Sequence, residues 1–526
     1  MRPLRPFLSA LPALLALTLL CACNTGLLPG IVTVTPAASS TPLPTLTPPG
    51  ALAPLPTFTF GPSTTPAAAT PTSATPNPTD TPGSTAASAP VARPLYTIDA
   101  SMDYDSKTLT VTQDVSYPNT STDSLNDLVL AVEPNLINGV FTLTSVSVDG
   151  SKTIPYTLEG QKLDITLPAA LAPGGSTKIS LAYTLALPEI VQGDPNVVRP
   201  QIFGVAQRQV NLVDWYPFVV PYVPGTGWLL HKPWFYGEHL VYPLADFDVT
   251  LRFTNSDNLP VVAASAAPEV INGGTRYRLE GARDFSFSMG RQFQVLSEQV
   301  GDVTVYSYYL GELNKVPGQG ALDAAVKAVK TYTELFGPYH HTTLSVIQGD
   351  FNDGMEFDGM FFLSNSFYNL YDNTEKNYLV MVTAHETSHQ WWFGRVANDQ
   401  AQEPWLDEAL ATYCEKLFYE KNYPDDVKWW WSYRVDFYQP QGMIDIPVYD
   451  GGGFTPYTNA TYRMGAHFLE DLRGQIGDDA FFSFLKDYST QLDGKVSSAA
   501  DFFRILRTHT DADLSSLLAK YFKNAH

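Results

Sequence analysis

Beyond residue 95 the chain alternates apolar and polar positions in short runs. The segments 96–102, 108–117, 128–132, 146–148, 163–167 and 177–185 carry the period of two that marks half-buried strands. Turn formers separate them at Asn119, Asp149-Gly150 and Pro173-Gly174-Gly175. This pattern predicts an antiparallel β-sandwich-like domain over 95–296. From about 297 it predicts a mixed sheet and then helices, an α+β organisation through 297–526. Helical periodicity covers 321–336, 479–488 and 498–507. Another helix is expected to start at a cap on Asn373 or Thr374, with Glu375 in its first turn, and to run to Gly394. Its inward stripe is Tyr378, Val382, His385, His389 and Trp392 or Phe393. Pro404 opens a further helix, with Glu408 in its first turns.

The first 94 residues do not share this patterning. Arg2 and Arg5 precede an apolar stretch over 7–20, interrupted by Pro12, too short for a membrane-spanning helix. Leu20-Cys21-Ala22-Cys23 resembles a bacterial lipobox, although Cys at its second position is unusual. Residues 1–23 are therefore expected to be a lipoprotein signal peptide, with lipid attached at Cys23 holding the protein outside the cytoplasm on a membrane. Ordinary secretion or an uncleaved anchor is the alternative. Residues 24–94 are rich in Pro, Thr, Ser and Ala, with Asp80 and Arg93 as their only charges. Such a segment builds no packed core and is expected to be a solvated stalk.

Composition narrows the function classes. About 430 of the 526 residues remain after signal and stalk, enough for two domains with full cores. A net charge of −21 argues against a nucleic-acid partner. With Cys21 leaving and Cys23 lipidated, Cys414 stands alone, so no disulfide framework is available. Cys414 is expected to be a small core residue. The aromatic and proline-rich stretch 215–242 suits core packing or the border of a cleft.

The chemistry lies at His385-Glu386-Thr387-Ser388-His389, with Glu408 nineteen positions further on. Positions i and i+4 share a helix face, so both imidazoles reach one ion. Two His and one carboxylate leave the fourth tetrahedral position of Zn2+ open to water, as in a catalytic site. Glu386, beside the first ligand, is placed to act as general base.

Together with Trp405-Leu406-Asp407-Glu408-Ala409-Leu410, this pattern resembles the gluzincin aminopeptidases, peptidase family M1. Gly354-Met355-Glu356-Phe357 is similar to that family's G-x-M-E-N segment, and Tyr462-Arg463-Met464-Gly465 to its Y-x-K-G segment. The resemblance implies a thermolysin-like zinc catalytic domain, with His385, His389 and Glu408 holding one Zn2+. It assigns Tyr462 as the oxyanion donor and Glu356 as the carboxylate that pairs with a peptide's α-ammonium. Gly354 and Met355 would lie along the bound substrate, on a possible edge strand running from Met355 toward Phe362. The implied activity is removal of N-terminal residues from peptides. Two departures stand out: Phe357 replaces the motif Asn, and Met464 replaces the Lys. The Phe357 change motivates a second reading, an endopeptidase on the same metal core. A non-catalytic peptide-binding surface lipoprotein is a third. Nothing in the sequence corresponds to the further C-terminal domains of larger members, so a more open cleft is expected.

Overall fold

The computed structural model describes residues 92–191, 202–255, 257–351 and 354–524. The expected signal peptide, Cys23 and all of the expected stalk up to residue 91 lie outside these residues. Among the described residues, no helix is long and apolar enough to cross a membrane.

The N-terminal part is built from strands whose side chains alternate between core and solvent, as in Thr108–Pro118 and Ser176–Ala186. Seven strands form one sheet, in the order Pro268–Ile271, Gly274–Ala282, Ala245–Phe253, Leu95–Asp103, Thr108–Pro118, Ser176–Ala186, Phe141–Val148. A four-stranded sheet centred on Leu125–Ala131 and Lys162–Leu171 shares its core, as does another built on Phe287–Gly290 and Val210–Leu212. Trp215 and Tyr216 are buried in that core. The pairing is not wholly antiparallel. Leu95–Asp103 runs parallel to Ala245–Phe253, because its other edge is already occupied by Thr108–Pro118 and the later strand enters in the same direction.

A five-stranded mixed sheet follows, in the order Phe293–Val300, Val303–Leu310, Thr343–Gly349, Met360–Ser364, Met355–Phe357. Its first strand starts at Phe293 and runs to Val300, so the expected boundary after 296 falls inside a strand. The helix Lys315–Phe336 carries the chain across this sheet between the parallel strands Val303–Leu310 and Thr343–Gly349. It starts six residues before the expected 321. Its early Gly318 and Gly320 make room for two aromatic rings. A Cβ on either would lie 2.7 Å from the Tyr309 ring and 2.6 Å from the Tyr371 ring, respectively.

The helix bearing His385 spans Tyr378–Ser388, later and shorter than expected. Asn377 caps it, its side chain accepting from Leu379 N at 2.9 Å. Thr374 instead donates to Asp372, and Asn373 adopts φ +66°, so the expected caps belong to the preceding turn and Glu375 lies outside the helix. At the other end Phe393 takes φ +145° and donates to Val396 O, which turns the chain back before Gly394. The helix is buried on every side rather than along one stripe. Trp405–Asn422 does begin after Pro404 and carries Glu408 in its first turn. Asp478–Gln491 and Ala499–Leu506 match the two late helices, the second capped by Ser498.

Met355–Phe357 forms the sheet's edge strand and pairs antiparallel with Met360–Ser364. The tight turn between them presses on the N-terminal domain. Gly359 there has φ +77°, and a Cβ would meet Ser265 O at 2.2 Å. Replacing Gly359 by Ala adds left-handed backbone strain to a clash with main chain. A loss of about 3 kcal/mol in stability is expected, read as a lower urea midpoint with unchanged m-value.

Candidate active site

Two helices converge on one buried point. The Tyr378–Ser388 helix with its C-cap supplies His385, Glu386 and His389, and the Trp405–Asn422 helix supplies Glu408. Candidate ligand atoms of His385, His389 and Glu408 all lie within 4.8 Å of one another. Glu408 Oε2 is 3.2 Å from His385 Nε2 and 3.7 Å from His389 Nε2.

The far side of each imidazole is taken by a carboxylate. His385 Nδ1 is 2.9 Å from Glu415 Oε1, and His389 Nδ1 is 2.6 Å from Asp407 Oδ1. A carboxylate only accepts, so each Nδ1 carries the proton and each Nε2 lone pair is left for an ion. Arg434 and the Trp430 indole N–H both donate to Glu415. Burial alone would raise the Glu415 carboxyl, but the Arg434 guanidinium and the His385 contact outweigh it and hold the group at about 2. The donor set of two imidazoles and one carboxylate, each braced from behind, fits Zn2+. Glu386 adds an orphan: its Oε2 is buried and has no hydrogen-bond partner among the described residues. Burial pushes its carboxyl up to about 7, against the pull of both histidines.

Tyr462 stands on a π-helical turn, Asn459–Met464. That turn rotates the phenol onto the metal ligands, where its O–H donates to Glu408 Oε1 at 2.5 Å. The adjoining Gly465 fits closely on the Glu408 helix, since a Cβ would lie 2.3 Å from Ala409 Cβ.

Glu356 on the edge strand is buried within the same cluster. Its carboxylate and those of Glu238 and Glu408 approach within 4.8 Å of one another. Burial drives the Glu356 carboxyl well above its usual range, aided by Glu238, Asp407 and Glu408 and opposed by His389. Met355 and Glu356 line a cavity of about 10 Å³, the space of roughly one water, together with Glu238, Asp214 and Gln400. Gly354 lies nearby: a Cβ there would be 3.4 Å from Glu386 Oε1. Phe357 packs against Phe362 and Met464 packs at the edge of the main core, so both departures serve packing. The turn beyond Phe357 is anchored by Asp358, which accepts from Arg283 N and pairs with His341. Gln390, next to His389, donates to Phe357 O and accepts from Gly359 N.

Sequence reasoning brought out the metal ligands, Glu386, Glu356 and Tyr462 but missed Glu238, Gln400, Asp407 and Glu415. Glu415 left a signal, since it lies seven positions after Glu408 and so on the same helical face. Glu238 left none, being one acid in an aromatic stretch. His385, His389 and Glu408 are at most 2 % exposed, and Tyr236 and Tyr457 pack with Tyr462 over this region. Part of the 215–242 stretch thus borders the site rather than the core alone. Cys414 is buried, and Trp392 Nε1 donates to its sulfur at 3.1 Å.

Residues 320–521 match the model of the peptidase family M1 domain. Aminopeptidase N of Lactobacillus helveticus is 23% identical over 418 residues, which is 74% of this chain and 47% of that protein. Leucine aminopeptidase 2 of Coccidioides immitis is 23% identical over 371 residues, 64% of this chain and 56% of that protein. The chain thus spans about half the length of these relatives. The crystal structure of an M1 zinc metallopeptidase from Deinococcus radiodurans superposes with a TM-score of 0.59 at 19% identity, covering 82% of this chain and 94% of that one. That likeness is one of fold, and it extends across both the β-rich and the helical parts. By the matched segment, residues 320–521 are similar to the peptidase family M1 domain.

Proposed function

We propose that the protein is a zinc-dependent aminopeptidase that hydrolyses N-terminal residues from peptides. The observation that carries this reading is the adjacency of two sites. The His385, His389 and Glu408 donor set lies directly beside the buried acidic group of Glu356 and Glu238. The first fits a catalytic Zn2+, and the second fits one positive charge at the end of a chain.

Held by His385, His389 and Glu408, a Zn2+ would supply Lewis acidity, polarising the scissile carbonyl and lowering the pKa of water. The chain's own groups do the rest. Glu386 accepts the proton of the attacking water and passes it to the departing amine. Tyr462 moves its hydrogen bond from Glu408 to the oxyanion that develops on the carbonyl. Glu356 and Glu238 hold the α-ammonium, which fixes the first peptide bond at the reacting centre. Met355–Phe357 is the last strand of its sheet, along which an extended peptide would lie, with the backbone of Gly354 close to Glu386.

The same reading includes attachment outside the cytoplasm, through lipid on Cys23, with residues 24–94 as the spacer. The support is the Arg2, Arg5 and 7–20 pattern ahead of Leu20-Cys21-Ala22-Cys23.

Glu386→Gln is expected to retain one zinc per chain while kcat falls by about 10³-fold; loss of zinc with the activity would remove the evidence for a general base. Asp407→Asn and Glu415→Gln should each weaken zinc binding by about 10- to 100-fold in chelator competition, because each imidazole loses its carboxylate brace. The wild-type enzyme should cleave a free-amine peptide amide far faster than its N-acetylated twin. Equal rates would favour an endopeptidase, and no turnover with zinc bound would favour a binding protein. Expressed in a bacterium with lipoprotein processing, the full chain should partition into membranes, and Cys23→Ser should release it; equal partitioning of both would overturn the lipid anchor.

A further inference from the structure

Gln400 is buried between two carboxylates, at 4 % exposure. Its Nε2 donates to Asp407 Oδ2 at 2.6 Å and to Glu356 Oε1 at 3.3 Å. Asp407 accepts from His389 through its other oxygen. A continuous chain of contacts therefore runs from a metal ligand to the amine clamp: His389, Asp407, Gln400, Glu356. The loop that carries Gln400 is itself well held. Asp399 pairs with His231 of the N-terminal domain and accepts from Gln402 N, while Ala401 O accepts from Val448 N.

The residue type suits the position. A primary amide places two N–H groups on one nitrogen, enough for one bond to each acid. A carboxylate here would repel both neighbours. A lysine would pair with Glu356 and compete with the substrate's ammonium for it. A neutral donor fixes the direction of Glu356 and leaves its charge for the ligand.

We propose that Gln400 is a positioning residue for exopeptidase specificity, aiming Glu356 at the substrate's α-ammonium and tying it to His389 through Asp407. The inference rests on the aminopeptidase reading.

The test compares wild type, Gln400→Leu, Glu356→Ala and the double variant on a free-amine peptide amide, with zinc content measured for each. Gln400→Leu is expected to raise KM about tenfold while kcat stays within about threefold and zinc stays stoichiometric. In the Glu356→Ala background the same substitution should change KM by less than about twofold, because nothing remains to be aimed. An unchanged KM in Gln400→Leu overturns the proposal. A tenfold effect persisting without Glu356 also overturns it, since Gln400 would then act through Asp407 alone. Should Gln400→Leu fail to fold, Gln400→Asn, one methylene too short to span both acids, should give the same KM rise. A wild-type enzyme indifferent to N-acetylation would sink the aminopeptidase reading and this inference together. Wild-type amine preference with an unaffected Gln400 variant would sink the inference alone.

Discussion

The structure depends on compensating negative charge in a place with little water. Glu238, Glu356, Glu386, Asp407, Glu408 and Glu415 are all buried around one point. An unpaired ionised group in such surroundings costs several kcal/mol, so each needs a proton, a donor or a cation. Glu415 is satisfied by Arg434, Trp430 and His385, and Asp407 by His389 and Gln400. Glu408 accepts from Tyr462 and Glu356 from Gln400, while Glu386 keeps one buried oxygen without a hydrogen-bond partner among the described residues. The concentration of carboxylates here suits cationic ligands, as the proposed function requires.

This constraint explains how much of the site was legible in the sequence. The metal ligands and Glu386 sit at fixed helical offsets, and a helix makes offset into geometry. Asp407 and Glu415 lie on the same helix as Glu408, so their positions were visible although their partners were not. Glu238 and Gln400 reach the site only through tertiary folding, one from the N-terminal domain and one from an irregular loop. No period in the chain marks either residue. The direction of Tyr462 depends on a π-helical turn, which hydrophobic spacing does not encode.

The fold divides in the same way. Alternation located six N-terminal strands to within a few residues, because one face of each is buried. It did not reveal the parallel pairing of Leu95–Asp103 with Ala245–Phe253, which joins segments far apart in the chain. The His385 helix was misjudged at both ends. Its polar N-terminal flank, 372–377, offers several capping residues, and burial on every side erases the stripe that periodicity detects.

The hairpin carrying Glu356 is fastened on two sides. Gly359 abuts Ser265 of the N-terminal domain, while Gln390 binds the same turn beside His389. Arg283 reinforces the seam, spending its guanidinium on the carbonyls of Gly394, Arg395 and Lys495. A segment riveted to both bodies cannot act as their hinge. Swinging the domains apart along this seam would displace the Glu356 hairpin and strip donors from buried carbonyls at once. Access to the buried cluster therefore falls to side chains and short loops around it rather than to movement along this seam.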